Sequence, residues 1–167
     1  MNPDGRPRAA VLTISDSAHR GERQDRSGPA VRERLHRWGW DAAAPEVLPD
    51  ERDQIAQRLA ALADAGEVEA IFTTGGTGLA PRDVTVEATR QVVEREIPGF
   101  GERMRARGAQ STPLALLSRA TAGTRGRVLI VNLPGSPGGA VESVDAIAEL
   151  LPHAIDLLNG KVRHPEP

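Results

Sequence analysis

The sequence predicts an α/β domain built on a mostly parallel sheet with helices on both of its faces, and three observations lead there. Three short runs, "AAVLTIS" (9–15), "VEAIFTT" (68–74) and "RVLIVNL" (127–133), are almost continuously apolar and rich in β-branched residues, as strands covered on both faces are. Segments with the three- and four-residue apolar spacing of helices separate them. Each run ends in a loop of small and polar residues: "DSAHRGERQDRSGP", "GGTGLAPRDVT" and "PGSPGG".

The elements follow in chain order. After the first strand, "SGPAVRERLHRWG" (27–39) places Val31, Leu35 and Trp38 on one helix face, with Ser27 as N-cap, Pro29 in the first turn and Gly39 at the end. "AAAPEVLP" (42–49) reads as a short edge strand, because Pro45 has no N–H to give a central ladder. "DERDQIAQRLAALADAG" (50–66) repeats Ile55, Leu59 and Leu62, opens on carboxylates and closes on Gly66. "TVEATRQVVEREIPGFGERMRARG" (85–108) predicts two helices parted at Pro98-Gly99. "SRATAG" (118–123), then "TRG", then the third apolar run predict a hairpin, which adds an antiparallel neighbour to the sheet. The last helical pattern, 138–161, carries Val141, Val144, Ile147, Leu151, Ile155 and Leu158, and Pro152 inside it predicts a kink near residues 148–152.

A length of 167 residues fits one domain over 1–167, since domains run about 100 to 200 residues. Residues 1–7 and 162–167 read as solvated, flexible ends. With 39% hydrophobic and only 2% aromatic residues, the core must be made of Ala, Val, Leu and Ile. Absence of cysteine removes disulfides, thiolate metal sites and cysteine nucleophiles together. A formal net charge of −2 argues against a general nucleic-acid binder. No leader pattern and no long apolar span is present, which predicts a soluble, cytoplasmic protein that avoids membranes. The four histidines show no paired metal spacing, and the arginines at 32, 34, 37, 103 and 107 read as solvated helix faces.

If the three strands are parallel, their loops leave the sheet on one edge, where ligands of open α/β sheets bind. In "TTGGTG", Gly75, Gly76 and Gly78 let successive backbone N–H groups converge on one point, and Thr73, Thr74 and Thr77 add hydroxyl donors. This is an anion cradle or a tight turn. It matches neither the dinucleotide fingerprint nor the P-loop. Asp83 is either a Mg²⁺ ligand or, like Thr85, a cap for the following helix. Asp50 poses the same choice one loop earlier. "NLPGSPGG" sets Gly135, Ser136, Gly138 and Gly139 at a helix start, a second place for an anion. Ser15, Asp16 and Ser17 complete the edge, with Asp16 or Ser17 capping the turn, and their loop to Ser27 is longer than the usual ~2 to 6 residues.

Taken together, "LTISDSAHRGERQDRSGPAV", "TTGGTGLAPRDVTVEAT", "PGFGERMR", "LSRATAG" and "VNLPGSPGGAVES" resemble the MogA/MoaB family of molybdopterin adenylyltransferases, which includes gephyrin-type G-domains. The resemblance spans about residues 8–160 and implies a three-layer α/β/α sandwich, a homotrimer, and Mg²⁺-dependent transfer of AMP from ATP to the terminal phosphate of molybdopterin, with pyrophosphate released. The resemblance also implies a molybdate-insertion protein as a partner that uses the product. By the same resemblance Asp50 and Asp83 are the catalytic, Mg²⁺-holding acids. Ser15, Asp16, Thr74, Gly75, Gly76, Thr77 and Gly78 bind nucleotide or molybdopterin, together with Ser118, Asn132, Pro134, Gly135 and Ser136. Two other readings stay open: a non-catalytic molybdopterin-binding relative, and a nucleotide hydrolase of the kind related to competence-damage proteins.

Overall fold

Residues 4–161 are described by a computed structural model; the second predicted flexible end, 162–167, and residues 1–3 of the first lie outside the described residues. The three apolar runs become neighbouring parallel strands: β1 (Arg8–Ile14), β4 (Ala70–Thr74) and β7 (Val128–Leu133). The expected edge strand is split by Pro45 into β2 (Asp41–Ala42) and β3 (Glu46–Leu48), both paired parallel to β1. The hairpin forms with a shorter first arm than the pattern predicts: β6 (Ala122–Arg125) turns at Gly126 and runs antiparallel to β7, and a two-residue β5 (Arg95–Glu96) extends that side. The sheet order is β2-β1-β4-β7-β6-β5, with β3 also on β1.

Side-chain alternation along the strands divides the core into two halves, because successive residues of a strand face opposite sides. Val11 of β1, Phe72 of β4 and Val131 of β7 face one side, against α2 (Ser27–Arg37), α5 (Pro98–Gly108), α6 (Pro137–Ile147) and α7 (Leu151–Leu158). Leu12, Ile71 and Ile130 face the other, against α3 (Arg52–Ala65) and α4 (Thr85–Val92). The result is the three-layer α/β/α arrangement, mostly parallel with one antiparallel part. Two of the few aromatics meet in the core: Trp40 packs edge to face on Phe72, with ring centres 6.0 Å apart. Among the described residues no helix is long and apolar enough to cross a membrane.

Several local details differ from the sequence pattern. Ser27 is the first residue of α2, and the cap position falls on Arg26, without a side-chain cap. Trp38 ends 48% exposed, off the core face, and donates its indole N–H to Asp145 at 2.9 Å. The 85–108 segment breaks earlier than Pro98-Gly99: α4 ends at Val92, β5 intervenes, and Pro98 begins α5, the helix position where its missing N–H costs nothing. The kink at Pro152 is present, as a 3₁₀ turn over Ala148–Leu150 between α6 and α7. Gly66 ends α3 in the left-handed conformation, as predicted.

Candidate active site

The loops after β1, β4 and β7 leave the sheet on one edge. Thr13 lies in register with Thr74, and Thr74 with Leu133. Beyond those residues the Thr74 hydroxyl donates to the Pro134 carbonyl at 2.7 Å, and the Gly75 N–H donates to the Leu133 carbonyl at 3.1 Å. Such closeness needs glycine at two positions. Gly75 has φ +102°, and a Cβ there would lie 2.3 Å from the Ile14 carbonyl oxygen. Gly76 has φ +67°, and its Cβ would meet the Thr85 hydroxyl at 2.1 Å. Neither position admits a side chain.

Acidic groups gather beside this turn. Asp16 belongs to a one-turn helix, α1 (Asp16–His19), and shares backbone hydrogen bonds with Asp50 at the end of the β3 loop. Arg82 closes over the pair, donating to the Asp16 carboxylate at 2.6 Å, the Asp50 carbonyl at 3.1 Å and the Glu51 carboxylate at 2.8 Å. The Arg82 hydrogen bond holds the Asp16 carboxyl below the usual range. Burial pushes the Asp50 carboxyl up, and the charges of Asp16 and Asp83 add to that against the Asp16 N–H, which favours the carboxylate. Asp83 accepts the Ala80 N–H at 2.9 Å. Gly78 makes room for it, since a Cβ there would stand 2.8 Å from the Asp83 carboxylate.

Capping does not explain these acids. Glu51 precedes α3 and Val84 precedes α4, and neither provides a side-chain cap. Thr85 is the first residue of α4 and its hydroxyl, fully buried, has no hydrogen-bond partner among the described residues. The turn after β1 is capped by Ser15, whose hydroxyl accepts the Ala18 N–H at 3.3 Å, rather than by Asp16 or Ser17.

Two hollows of about 450 and 400 Å³ open along this edge and share a wall made of Gly76, Asp83, Gly135 and Ser136. The first is largely apolar, with Met104, Leu114 and Leu117 facing Thr77, Gly78 and Ser118. The second is polar and holds Ser15, Thr74, Gly75, Asp50, Arg23 and Arg26. Ser136 caps α6 by accepting the Gly139 N–H at 3.2 Å, so this wall is also a helix start. Pro134 lines the first hollow. Asp16 lines neither and is turned toward Asp50 and Arg82. Asn132 is placed elsewhere: its side chain is fully buried within the sheet and donates to the Thr73 hydroxyl at 3.0 Å and the Thr89 hydroxyl at 2.8 Å. A β7 residue that points beneath α4 cannot also face the hollows.

Several site residues escape the sequence reading. Arg82 and Arg119 are the main ones. Arg119 donates to the Gly78 and Asp83 carbonyls, each at 2.8 Å, and pairs with Glu87, thereby fastening the glycine turn to the Asp83 loop. Arg105 lines the apolar hollow and donates to the Ala120 carbonyl at 2.9 Å. Arg82 lies inside "GGTGLAPRDVT", yet nothing in spacing distinguishes it from a solvated arginine; its partners come from two other loops.

Among the described residues no cluster of three or more histidines or acids is arranged around a metal position. Asp50 and Asp83 nevertheless fit Mg²⁺ in its commonest protein form, which uses one or two carboxylates together with substrate phosphates and water. Both line the polar hollow, and Asp50 sits partly desolvated between two like charges, a position that a cation relieves.

A family model named MoCF_biosynth, "Probable molybdopterin binding domain", matches residues 10–153. A Helicobacter pylori (strain J99) protein named molybdopterin adenylyltransferase is 41% identical over 152 residues, covering 90% of this chain and 86% of its own. The Escherichia coli K12 protein of the same name is 37% identical over 171 residues, covering 92% and 86%. The solved structure of the molybdopterin biosynthesis enzyme MoaB from Thermus thermophilus superposes with a TM-score of 0.87 at 52% identity, covering 93% of this chain and 98% of that one.

Proposed function

This chain belongs to the family of probable molybdopterin-binding domains, and we propose on that premise that it is a molybdopterin adenylyltransferase of molybdenum-cofactor biosynthesis. The observation that supports this most directly is the shared wall. Two hollows of unlike character, one apolar and one polar, meet at Gly76, Asp83, Gly135 and Ser136, which is what a reaction joining two bound substrates requires.

In the reaction, an oxygen of the terminal phosphate of molybdopterin attacks the α-phosphorus of ATP. A new P–O bond forms, the bond to the bridging oxygen breaks, and pyrophosphate leaves. The nucleophile belongs to the substrate, so no protein nucleophile is needed. Backbone N–H groups of Gly76 to Gly78 and of the Ser136 helix start orient and stabilise phosphate oxygens, while the Gly75 N–H stays on the Leu133 carbonyl and shapes the turn. Thr74, Gly75, Ser15 and Ser136 act in the polar hollow, and Thr77, Gly78, Ser118, Pro134 and Gly135 in or beside the apolar one. Asp16 fixes Asp50, and Asn132 supports the floor from within the core. Asp50 and Asp83 would hold Mg²⁺, which when bound neutralises phosphate charge and eases pyrophosphate departure. The same reading makes the protein a cytoplasmic homotrimer that passes its product to a molybdate-insertion protein.

Incubation of the pure protein with ATP, Mg²⁺ and molybdopterin tests the reading. Adenylated pterin with one equivalent of pyrophosphate supports it. Tight pterin binding without product would make the protein a binding module, and ATP breakdown without pterin would make it a hydrolase. Sedimentation velocity reads the oligomer directly.

A further inference from the structure

We propose that Arg23 and Arg26, on the loop between α1 and α2, form a cationic clamp for a polyphosphate chain lying in the polar hollow. The inference rests on the nucleotide reading above and extends it by naming the groups that grip the triphosphate. Both arginines line that hollow, and both are exposed. Their guanidinium groups have no ion pair or hydrogen bond among the described residues. The other arginines around the site are committed to acceptors of the chain itself: Arg82 to Asp16 and Glu51, Arg105 to Ala120, Arg119 to Gly78, Asp83 and Glu87.

Asp25, between the two, presents them in this way. Its carboxylate accepts the Thr13 hydroxyl at 2.8 Å, on the end of β1, and the Gly28 N–H at 3.0 Å, in the first turn of α2. The loop is thus fastened to the sheet edge by an inward-facing acid. Gly28 packs so closely beneath it that a Cβ would lie 2.3 Å from the Thr13 hydroxyl and 2.8 Å from the Pro45 ring. With position 25 fixed inward, the arginines at 23 and 26 remain on the rim.

Charge balance then decides what they meet. The remaining charged groups lining the polar hollow are Asp25, Asp50 and Asp83, all acids. A phosphate chain entering such a hollow is repelled unless cations accompany it. Two uncommitted guanidinium forks, each able to hold two oxygens, supply that complement from the loop between α1 and α2. Together the two forks offer donors for the oxygens of more than one phosphate group.

Titration calorimetry with the whole protein separates the possibilities, using ATP, inorganic tripolyphosphate and molybdopterin in turn, with and without Mg²⁺. Arg23→Ala and Arg26→Ala are each expected to weaken ATP and tripolyphosphate about tenfold, and the double variant about a hundredfold, with molybdopterin affinity unchanged. Arg26→Lys should recover only part of the loss, since a point charge replaces a fork. The salt dependence of ATP binding should also flatten in the double variant. Wild-type affinity for ATP in the double variant overturns the clamp. So does loss of molybdopterin binding with ATP retained, which would assign the arginines to the pterin's own phosphate. If the unaltered protein binds neither ATP nor tripolyphosphate, the nucleotide reading itself falls, and the clamp with it. Both side chains are exposed, so melting temperatures should match and show that every variant is folded.

Discussion

Asp16 and Asp50, 34 residues apart, each hold the other's backbone: the Asp16 N–H donates to the Asp50 carboxylate at 2.9 Å, and the Asp50 N–H donates to the Asp16 carboxylate at 3.0 Å. The reciprocal pair locks the loops after β1 and β3 together and fixes Asp50 on the wall of the polar hollow. It also brings two like charges close. Arg82 hydrogen-bonds the Asp16 carboxylate directly and reaches the Asp50 side chain only through its charge, so burial still disfavours the ionised form of Asp50. That is a poor arrangement for stability and a sensible one for a cation ligand.

Replacement of Asp50 by Asn follows directly. The amide oxygen can still accept the Asp16 N–H, so the loop geometry survives, while the unfavourable charge disappears. At neutral pH the variant should melt at the wild-type temperature or slightly above it. Its Mg²⁺-dependent turnover should fall by roughly a hundredfold or more, the scale of losing one electrostatic element of a transition state. Unchanged turnover would remove Asp50 from the mechanism.

The same carboxyl predicts the acid limb of the Mg²⁺ response. Burial raises the Asp50 pKa, so Asp50 takes up a proton at a higher pH than an ordinary aspartate does. Mg²⁺ needs the carboxylate form. Mg²⁺ affinity should therefore decline on acidification while Asp16, held low by Arg82, is still charged. Calorimetric Mg²⁺ titrations in the presence of ATP, from pH 7 downward, would show this. The decline should be shallower in Asp50→Asn, whose affinity starts low and keeps only the pH dependence of the nucleotide's own phosphates and the other carboxylate.

Arg82→Ala probes the other half of the pair. Arg82 depresses the Asp16 pKa, so its contribution to stability is present above the unfolded-state pKa of Asp16 and is lost as pH falls through the lower folded-state value. The difference in melting temperature between wild type and variant should thus be larger at pH 7 than at pH 3. The guanidinium is more than half exposed, so even the neutral-pH difference should be modest. A gap that widens in acid would contradict the assignment.

How much of this was legible in the sequence depends on whether the cause was local. The sheet was legible because β1, β4 and β7 are buried on both faces and therefore apolar at nearly every position. Parallel pairing of those strands then placed "SDS", "TTGGTG" and "NLPGSP" on one edge without any knowledge of their contacts. Caps were less legible. Ser27, Asp83 and Thr85 all have the right chemistry beside the right helices, and in each case the chain enters the helix one residue away. Asn132 reads as part of a loop motif because it lies so near Pro134, yet strand alternation turns it inward. Arg82 and Arg119 were invisible for a different reason: what gives them their roles are carbonyls and carboxylates brought from other loops by the fold.

Gly75→Ala tests the contact between the two loops most severely. The new Cβ would lie 2.3 Å from the Ile14 carbonyl oxygen, which is backbone and cannot swing away, and the residue would have to keep φ near +102°. Both faults act on the folded state, so the loss should exceed the ~1 kcal/mol that a tolerated glycine replacement changes. Urea unfolding should show a lower midpoint with an unchanged slope. Gly138→Ala is the control, because a Cβ there meets nothing within 4 Å.

Asn132→Ala distinguishes a supporting residue from one that touches substrate. Its amide joins the Thr73 hydroxyl on β4 to the Thr89 hydroxyl on α4 in a region closed to water, so removal leaves a small cavity and two hydroxyls short of a donor. A loss of about 2 to 4 kcal/mol is expected from the combined cavity and hydrogen-bond terms. At temperatures where the variant remains folded, however, its affinity for molybdopterin and ATP should stay within about twofold of wild type, because the side chain lines neither hollow. The two measurements answer different questions and must be made on the same preparation. A large loss of ligand affinity with stability intact would reverse this placement, and would mean that Asn132 turns toward the site when substrate binds.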